Sequence, residues 1–295
     1  MITGIIATIL FLLLLGISMI CFSEVLKQLK AFLVAQIEIL FATFFLLMGL
    51  LFFSPLTFGA IFSLPSSSNW LWLTASGLLS FLGGNYNSFA NLKKTNTINN
   101  SLLSPVITVI TSLLAFVILD ESIGWLGIIG LTITVSAVFA YQYKQVTNNL
   151  TLQGFYNGVI CIAFISISII CAIKGTVQSN LSLFHSMFLK LFPCFICVLL
   201  VQLFNKKRIY ADYKLINLKN GMLLIGAIVF QTILASYLWF IASFQLGVSK
   251  FQVIVSLFPF VVAFLQVKFY KKSDLSLRFY ITAIIAFIGV LLLFI

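Results

Sequence analysis

Two charged side chains lie inside long apolar segments of this sequence. Glu38 stands about seven residues into one segment, and Lys190 takes the matching place in another when Phe32 is aligned with Phe184. A charged side chain within a bilayer costs about 2.5 to 3.5 kcal/mol on insertion scales, so such residues are candidates for function. The two residues could flank a cavity and bind the opposite charges of a zwitterion. Glu38 could instead exchange a proton for a bound solute, or serve only as a polar anchor between helices.

Amide and aromatic side chains are concentrated in two further apolar segments. Asn85, Tyr86 and Asn87 follow a pair of glycines, and Tyr237 stands in a segment that also contains Gln231, Ser236 and Trp239. Rings supply contact area and amides supply direction, so these residues could form the wall of a site for an organic solute. Ordinary interhelical packing is the alternative for each of them. Weaker candidates for polar lining are Ser104, Thr108, Thr111, Gln252 and Ser256.

The composition requires a membrane around these segments. Of the 295 residues, 62% are hydrophobic and 8% are charged, which is too few polar residues to cover a soluble domain. A helix needs about 20 residues to cross the hydrocarbon core, and continuously apolar runs favour helices over barrel strands. We therefore predict an all-α membrane protein with ten transmembrane helices, numbered here as the first to the tenth span: 3–22, 32–53, 70–90, 98–119, 124–143, 153–173, 183–204, 221–244, 251–270 and 276–295.

The basic residues lie mostly on one side of the predicted bundle. Of the 17 lysines and arginines, fourteen lie in or beside the odd-numbered connections: residues 27, 30, 93, 94, 144, 206, 207, 208, 214, 219, 268, 271, 272 and 278. The positive-inside rule then predicts that these connections are cytoplasmic and that both termini are outside. Membrane orientation accounts for the net charge of +11. We therefore predict no nucleic-acid partner.

The two halves of the chain share a pattern. Pro105 and Pro259 are 154 positions apart, and so are Asp120 and Asp274. We predict two repeats, residues 1–145 and 150–295, with five helices each. An odd number of helices places the repeats upside down relative to one another, as in transporters that expose one site to either face in turn. Both prolines, and Glu121 beside the first turn, are candidate hinge or structural positions, a static bend being the alternative at the prolines.

The repeat resembles a known family. Its first copy comprises Phe89-Ala90, Thr95 to Ser101, Leu103-Ser104-Pro105, the Leu119 to Ser122 turn, and Gly127 to Gly130. Its second copy comprises Phe240 to Ala242, Val248-Ser249, Leu257-Phe258-Pro259 and Phe287 to Val290. These stretches are similar to the EamA-type repeat of the drug/metabolite transporter superfamily. The resemblance implies a ten-helix exporter or exchanger of metabolites, with a central cavity lined by spans 1, 3, 4, 6, 8 and 9. Where the first copy has Glu121, the second has Leu275, with Asp274 beside it.

No catalytic constellation is found in the sequence. With one histidine, His185, and six acidic residues, the chain has no triad, paired-carboxylate site or phosphate loop. Cys194 and Cys197 have metal-ligand spacing but lie in an apolar helix without further ligands, so we interpret them as packing residues. We predict neither an enzyme, nor a cofactor, nor a metal site.

These observations predict a secondary active transporter in the inner (plasma) membrane. It would move a small organic metabolite, an amino acid or a similar zwitterion, by alternating access, using a gradient or exchange. The alternative is proton-coupled efflux of drugs or cations, and a non-transporting membrane scaffold is the weaker reading. The expected partners are the small-molecule substrate and the lipid bilayer, with the protein acting as a monomer or homodimer.

Overall fold

The computed structural model describes most of the chain. The described residues are 1–53, 57–94, 103–122, 124–146, 152–177, 181–204, 213, 216–270 and 277–294. Within these ranges the protein is built from helices, and no strand occurs. The predicted all-α class is confirmed, whereas the counterparts Asp274 and Leu275 lie outside the described residues.

The described part of the first half contains seven α-helices and one π-helical segment. They are α1 (Ile2–Leu26), α2 (Ala31–Phe53), α3 (Phe58–Ser63), α4 (Ser67–Gly77), the π-helical segment π1 (Leu78–Asn85), α5 (Tyr86–Lys94), α6 (Leu103–Ile118) and α7 (Trp125–Val146). The third predicted span is thus one helical run from α4 through π1 to α5. The short helix α3 was not predicted, and it begins where the Thr57 hydroxyl accepts a hydrogen bond from the Ala60 amide at 3.3 Å.

The second half repeats this order with two differences among the described residues: it shows no counterpart of α3, and its ninth span is divided. Its elements are α8 (Leu152–Val177), α9 (Leu183–Phe204), α10 (Leu218–Ile228), the π-helical segment π2 (Val229–Ala235), α11 (Ser236–Leu246), α12 (Val248–Val255), α13 (Phe258–Tyr270) and α14 (Leu277–Leu291). The ninth span, predicted as a single helix, is two helices. Pro259 is the second residue of α13, where its missing N–H costs nothing because first-turn amides have no intrahelical partner.

Several helices are long and apolar enough to cross a membrane. In the described ranges six runs meet both conditions: Ile2–Leu26, Ala31–Phe52, Tyr156–Val177, Leu183–Phe204, Leu218–Leu246 and Val248–Phe269. Shorter apolar helices cover Ser104–Ile118, Trp125–Tyr141 and Leu277–Leu291. Large apolar side chains cover the outer surface, with Phe204 84% exposed and Trp125 75% exposed. Such a surface is stable only in lipid, so this is an integral membrane protein.

The connections between spans pair according to their parity. At one end of the bundle, the Lys93 ammonium after the third span donates to the Leu29 carbonyl after the first, at 2.7 Å. At the other end, the Asn69 amide after the second span donates to the Gly175 carbonyl near the end of the sixth, at 2.9 Å. Odd-numbered connections therefore meet odd-numbered ones, as an up-and-down path of the chain requires. We call these the odd end and the even end of the bundle.

Helices α7 and α14, one from each repeat, pack with their backbones in close contact. A Cβ atom built on Gly289 would lie 2.7 Å from the Gly130 carbonyl oxygen. The Thr134 hydroxyl also donates across this interface, to the Ala286 carbonyl at 3.2 Å. Small residues at a helix crossing permit this approach, which lipid-embedded helices use for packing.

We expect Gly289→Ala to destabilise the protein. The added methyl group meets backbone atoms that cannot rotate away, and overpacking of this kind costs about 1 to 3 kcal/mol. The measurement is the midpoint of thermal unfolding in detergent. Gly49→Ala is the matched control, because a Cβ on Gly49 has no atom within 4 Å. Equal midpoints for the two variants would contradict the close packing.

Candidate functional site

A cavity of about 270 Å³ lies between the two repeats. Side chains from spans 1, 3, 4, 6, 8 and 9 line it, and α2 and α9 add one charged residue each. Its polar lining consists of Glu38, Ser80, Asn85, Ser88, Ser104, Ser168, Lys190, Gln231, Thr232, Ser236 and Gln252. Its aromatic lining consists of Phe11, Phe22, Phe81, Phe89, Trp239, Phe240, Phe251 and Phe258. The interior thus combines a large apolar wall with two opposite charges.

The Glu38 carboxylate joins the two repeats. Its side chain is completely buried and accepts a hydrogen bond of 2.6 Å from the Thr232 hydroxyl in π2. The Asn85 amide, at the end of π1, donates to the same carboxylate at 3.3 Å. Both donors compensate part of the cost of burying a carboxylate. Glu38 therefore connects the π-helical segments of both halves at the wall of the cavity.

Lys190 has no such partners. Its ammonium makes no ion pair or hydrogen bond with any residue that the structure describes. It lies 5.9 Å from the ring centroid of Phe81 and 5.9 Å from that of Trp239, within the range of cation–π attraction. Glu38 and Lys190 form no direct salt bridge, although both line the same cavity. The cavity therefore contains a cation that no described side chain neutralises.

The π-helical segments occupy equivalent positions in the two repeats. The Tyr86 amide donates to the Phe81 carbonyl, and the Ser236 amide donates to the Gln231 carbonyl, each reaching five residues back. Such π-helical turns are rare and are often found at functional sites. Both segments line the cavity, and the Gln231 side chain also accepts a 3.1 Å hydrogen bond from Ser18 on α1.

Three residues predicted to form the wall do not line the cavity. Tyr86 is 39% exposed, and the Asn87 amide donates to the carbonyl of Gly83 on its own helix. The Tyr237 ring packs against Phe184 at 5.1 Å. Asn85, Gln231, Ser236 and Trp239 do line it, as do two of the weaker candidates, Ser104 and Gln252. Contact of any of these residues with a solute stays a prediction.

The structure also assigns cavity positions to residues that the sequence analysis did not select. Thr232 bonds to Glu38, and Phe81 lies beside Lys190. Nothing in the sequence distinguishes Phe81 from the other 31 phenylalanines. Thr232 lies next to the predicted Gln231, and its hydroxyl in an apolar span is the one signal that could have selected it.

Glu121 is bound at the even end of the bundle. Its carboxylate accepts hydrogen bonds from the backbone amides of Val248 at 2.7 Å and Ser249 at 2.9 Å, and from the Ser249 hydroxyl at 2.8 Å. Pro105 is buried in α6, whereas Pro259 follows the interruption between α12 and α13. The roles of these three residues as hinges stay predictions.

The described residues contain no group of three or more His, Cys, Asp or Glu side chains that could hold a metal ion. The Cys161 thiol is buried in the cavity wall, while Cys194 and Cys197 are free thiols on α9. His185 is buried, with its Nε2 atom 2.7 Å from the Ile61 carbonyl oxygen.

Comparison with known proteins supplies a family. A search of curated proteins finds no match. A solved structure described only as "Crystal structure of protein" is 11% identical, aligns over 99% of this chain and 95% of its own, and has a TM-score of 0.71. At so low an identity this likeness shows the fold alone. The EamA-like transporter family matches residues 2–141 and again residues 155–295, so nearly the whole chain is covered by two copies of its repeat. The chain belongs to the EamA-like transporter family, within the drug/metabolite transporter superfamily.

Proposed function

We propose that this membrane transporter exports or exchanges a small organic zwitterion, an amino acid or a similar compound, by alternating access. The observation that carries the proposal is the pair of opposite charges, Glu38 and Lys190, in one cavity between the repeats. The cavity of about 270 Å³ is close to the lower end of the roughly 300 to 1,000 Å³ range of small-molecule sites, so it suits a small organic solute. A gradient or a counter-substrate would supply the energy.

The environment of each charge supports this assignment. A substrate carboxylate would give the Lys190 ammonium the charge-assisted hydrogen bond that it lacks, and such bonds are about twice as strong as neutral ones. Glu38 accepts three hydrogen bonds from two side chains, whereas a carboxylate has about four acceptor sites. It can therefore also accept from a substrate ammonium while Thr232 and Asn85 stay in place. The aromatic rings would pack against the apolar part of the substrate.

We further propose how the chain sits in the membrane. It would cross the plasma membrane ten times, with the odd end of the bundle in the cytoplasm and both termini outside. The pairing of odd with odd and even with even connections supports an alternating path. The excess of basic residues near the odd end supports the orientation. A duplicated chain carries both halves of its site, so a monomer would suffice, although a homodimer is compatible with the proposal.

A ligand screen tests the substrate class. Purified protein in detergent would be heated with amino acids, nucleosides, S-adenosyl compounds and sugars, because a ligand that binds only the folded state raises the unfolding temperature. For each amino acid that stabilises, the panel includes the matching amine without the carboxylate and the matching acid without the ammonium. We expect stabilisation by the zwitterion and little by either relative, followed by uptake of the zwitterion into proteoliposomes. Stabilisation by the acid and the zwitterion alike would contradict a role of Glu38 in recognition.

The second candidate function is proton-coupled efflux of lipophilic cations. It is favoured by the complete burial of Glu38 and by the eight aromatic side chains in the lining, whose faces attract cations. The same screen includes lipophilic cations. Stabilisation by cations alone would support this second candidate and reject the zwitterion. A cavity with polar side chains argues against a non-transporting scaffold. If no compound in the screen stabilised the protein, the scaffold would be favoured.

A further inference from the structure

Glu121, a residue of the first repeat, caps the N-terminus of α12 in the second repeat. The first amides of a helix lack partners within the helix, and an oxygen of the residue before it normally accepts from them. The residue before α12 is Gly247, which has no side chain and adopts a φ of 81°. The Glu121 carboxylate, from the first repeat, binds the amides of Val248 and Ser249 instead.

The sequence around Glu121 holds it in position. Asp120 adopts a left-handed φ of 55°, which ends α6 and turns the chain towards α12. The Glu121 amide donates back to the Ala115 carbonyl at 3.3 Å. A carboxylate at the positive end of a helix is also electrostatically favourable. We call the contact of Glu121 with Val248 and Ser249 the Glu121 clamp.

A buried apolar cluster lies between the clamp and the cavity. Its members include Ala115 of α6, Ile170 and Ile173 of α8, and Val248 of α12, all at most 5% exposed. Ile169 belongs to the same cluster and also lines the cavity. The order from the even end inwards is thus clamp, apolar cluster and cavity. Side chains of both repeats form the apolar cluster at this end of the cavity.

A second hydrogen bond joins the same two helices deeper in the bundle. The Thr108 hydroxyl of α6 donates to the Gln252 carbonyl of α12 at 2.8 Å, and the Gln252 side chain lines the cavity. Helices α6 and α12 therefore contact each other from the bundle end to the cavity. Separation of α6 from α12 would open a path from the cavity to the even end.

We propose that the Glu121 clamp is the gate contact at the even end, which must release Val248 and Ser249 each time the cavity opens to that side. The proposal rests on the alternating access of the proposed function. In an inverted repeat, opening one side requires the two halves to separate there, and the clamp is a link between them at that end. Glu121 is thus a positioning residue that sets which side of the cavity is closed.

Side-specific alkylation of Cys161 tests the gate without any substrate. In a protein with Cys21, Cys171, Cys194 and Cys197 replaced by alanine, Cys161 reports access to the cavity. A membrane-impermeant thiol reagent is applied to vesicles of either orientation. In a separate variant, Ser122, which is exposed at the even end, is replaced by cysteine, and its labelling shows in which vesicles the even end faces the reagent. Asp120→Asn is the matched control, because asparagine tolerates the left-handed conformation.

We expect Glu121→Gln to raise the alkylation rate of Cys161 from the even end several-fold. The rate from the odd end should stay the same or fall. In the Asp120→Asn protein, Cys161 should be alkylated at the rate of the unsubstituted protein from both ends. A purely structural cap would, on removal, loosen the protein and raise the rate from both sides alike. Either that result or no change from either side would overturn the gate.

The converse variant locks the clamp. Cysteines at positions 121 and 249 would be joined by a short cleavable bis-thiosulfonate reagent before labelling, and the protein with Cys161 as its one cysteine would receive the same reagent to show that Cys161 itself is not capped. We expect alkylation of Cys161 from the even end to fall to background and to return after reduction. Labelling at the uncross-linked rate would overturn the proposal. The alkylation rates are measured without substrate. If no ligand stabilises the protein but Glu121→Gln raises alkylation from the even end alone, the proposed substrate is rejected and the gate is supported.

Discussion

Replacing Lys190 with glutamine is expected to weaken binding of the zwitterion about 10- to 150-fold. Hydrogen bonds to charged groups contribute about 1.5 to 3 kcal/mol, and 1.4 kcal/mol corresponds to a factor of ten in affinity. Glutamine keeps two of the four methylene groups of lysine and still carries an NH2 donor, so the loss combines the missing charge with a shorter side chain. The measurement is the ligand concentration that gives half-maximal thermal stabilisation, followed by the KM of uptake into proteoliposomes.

Lys174→Gln is the matched control for this change. The Lys174 ammonium lies 4.7 Å from the Trp72 ring centroid, also on a ring, but Lys174 does not line the cavity. Its loss should leave ligand affinity unchanged. A ligand without its carboxylate should have the same low affinity for the Lys190→Gln protein and for the wild-type protein. Removal of the ligand carboxylate and removal of the Lys190 charge delete the same contact, so their effects should not add. Equal losses for both lysine variants would show that Lys190 does not bind the substrate.

The charged candidates could be found from sequence because their signal is energetic. A lysine or glutamate within a long apolar helix is costly wherever the helix packs, so Glu38 and Lys190 are conspicuous before any contact is known. In the structure, Glu38 and Lys190 line the same cavity. Apolar length similarly locates the helices, since the requirement for about 20 residues is set by the bilayer and does not depend on tertiary contacts.

The rotation of each helix about its axis could not be predicted in the same way. Lining residues on the third span are 80, 81, 85, 88, 89 and 92, and those on the eighth are 231, 232, 236, 239 and 240. This spacing describes one face of a helix. Neighbouring residues are about 100° apart, and on this face Asn85 lines the cavity whereas Tyr86 and Asn87 do not. The composition of a segment predicts that it has a polar side, whereas packing against the other helices decides which side that is.

The break in the ninth span has a local cause, because Pro259 has no amide to donate to the Val255 carbonyl. The packing of π1 and the cap of α12, in contrast, depend on residues that are far apart in the chain. A built Cβ on Gly83 or Gly84 would collide with Phe164 or Ile165 of α8, so π1 packs closely against that helix. The first amides of α12, a helix of 8 residues, donate to the Glu121 carboxylate of the other repeat. Each of these two features requires residues more than 70 positions apart, which local patterns do not contain.

Replacing Glu38 with glutamine is expected to weaken binding of the zwitterion without unfolding the protein. Glutamine retains an acceptor oxygen for Thr232 and Asn85, so the link between π1 and π2 can persist while the negative charge is lost. By the arithmetic used for Lys190, affinity should fall about 10- to 150-fold. Thermal unfolding without ligand and uptake of the zwitterion at several pH values are the two measurements.

Glu24→Gln is the control for loss of a carboxylate outside the cavity, because Glu24 pairs with Lys27 at 2.6 Å on a partly exposed surface. Uptake by this variant should match the wild type. If Glu38 carries the coupled proton, uptake that remains in Glu38→Gln should no longer depend on a proton gradient, since glutamine cannot exchange a proton. Residual uptake with full proton dependence would remove coupling from Glu38 and leave recognition of the ammonium as its role. Wild-type affinity together with wild-type proton dependence would reject both roles, because the carboxylate would then do no more than join the two repeats.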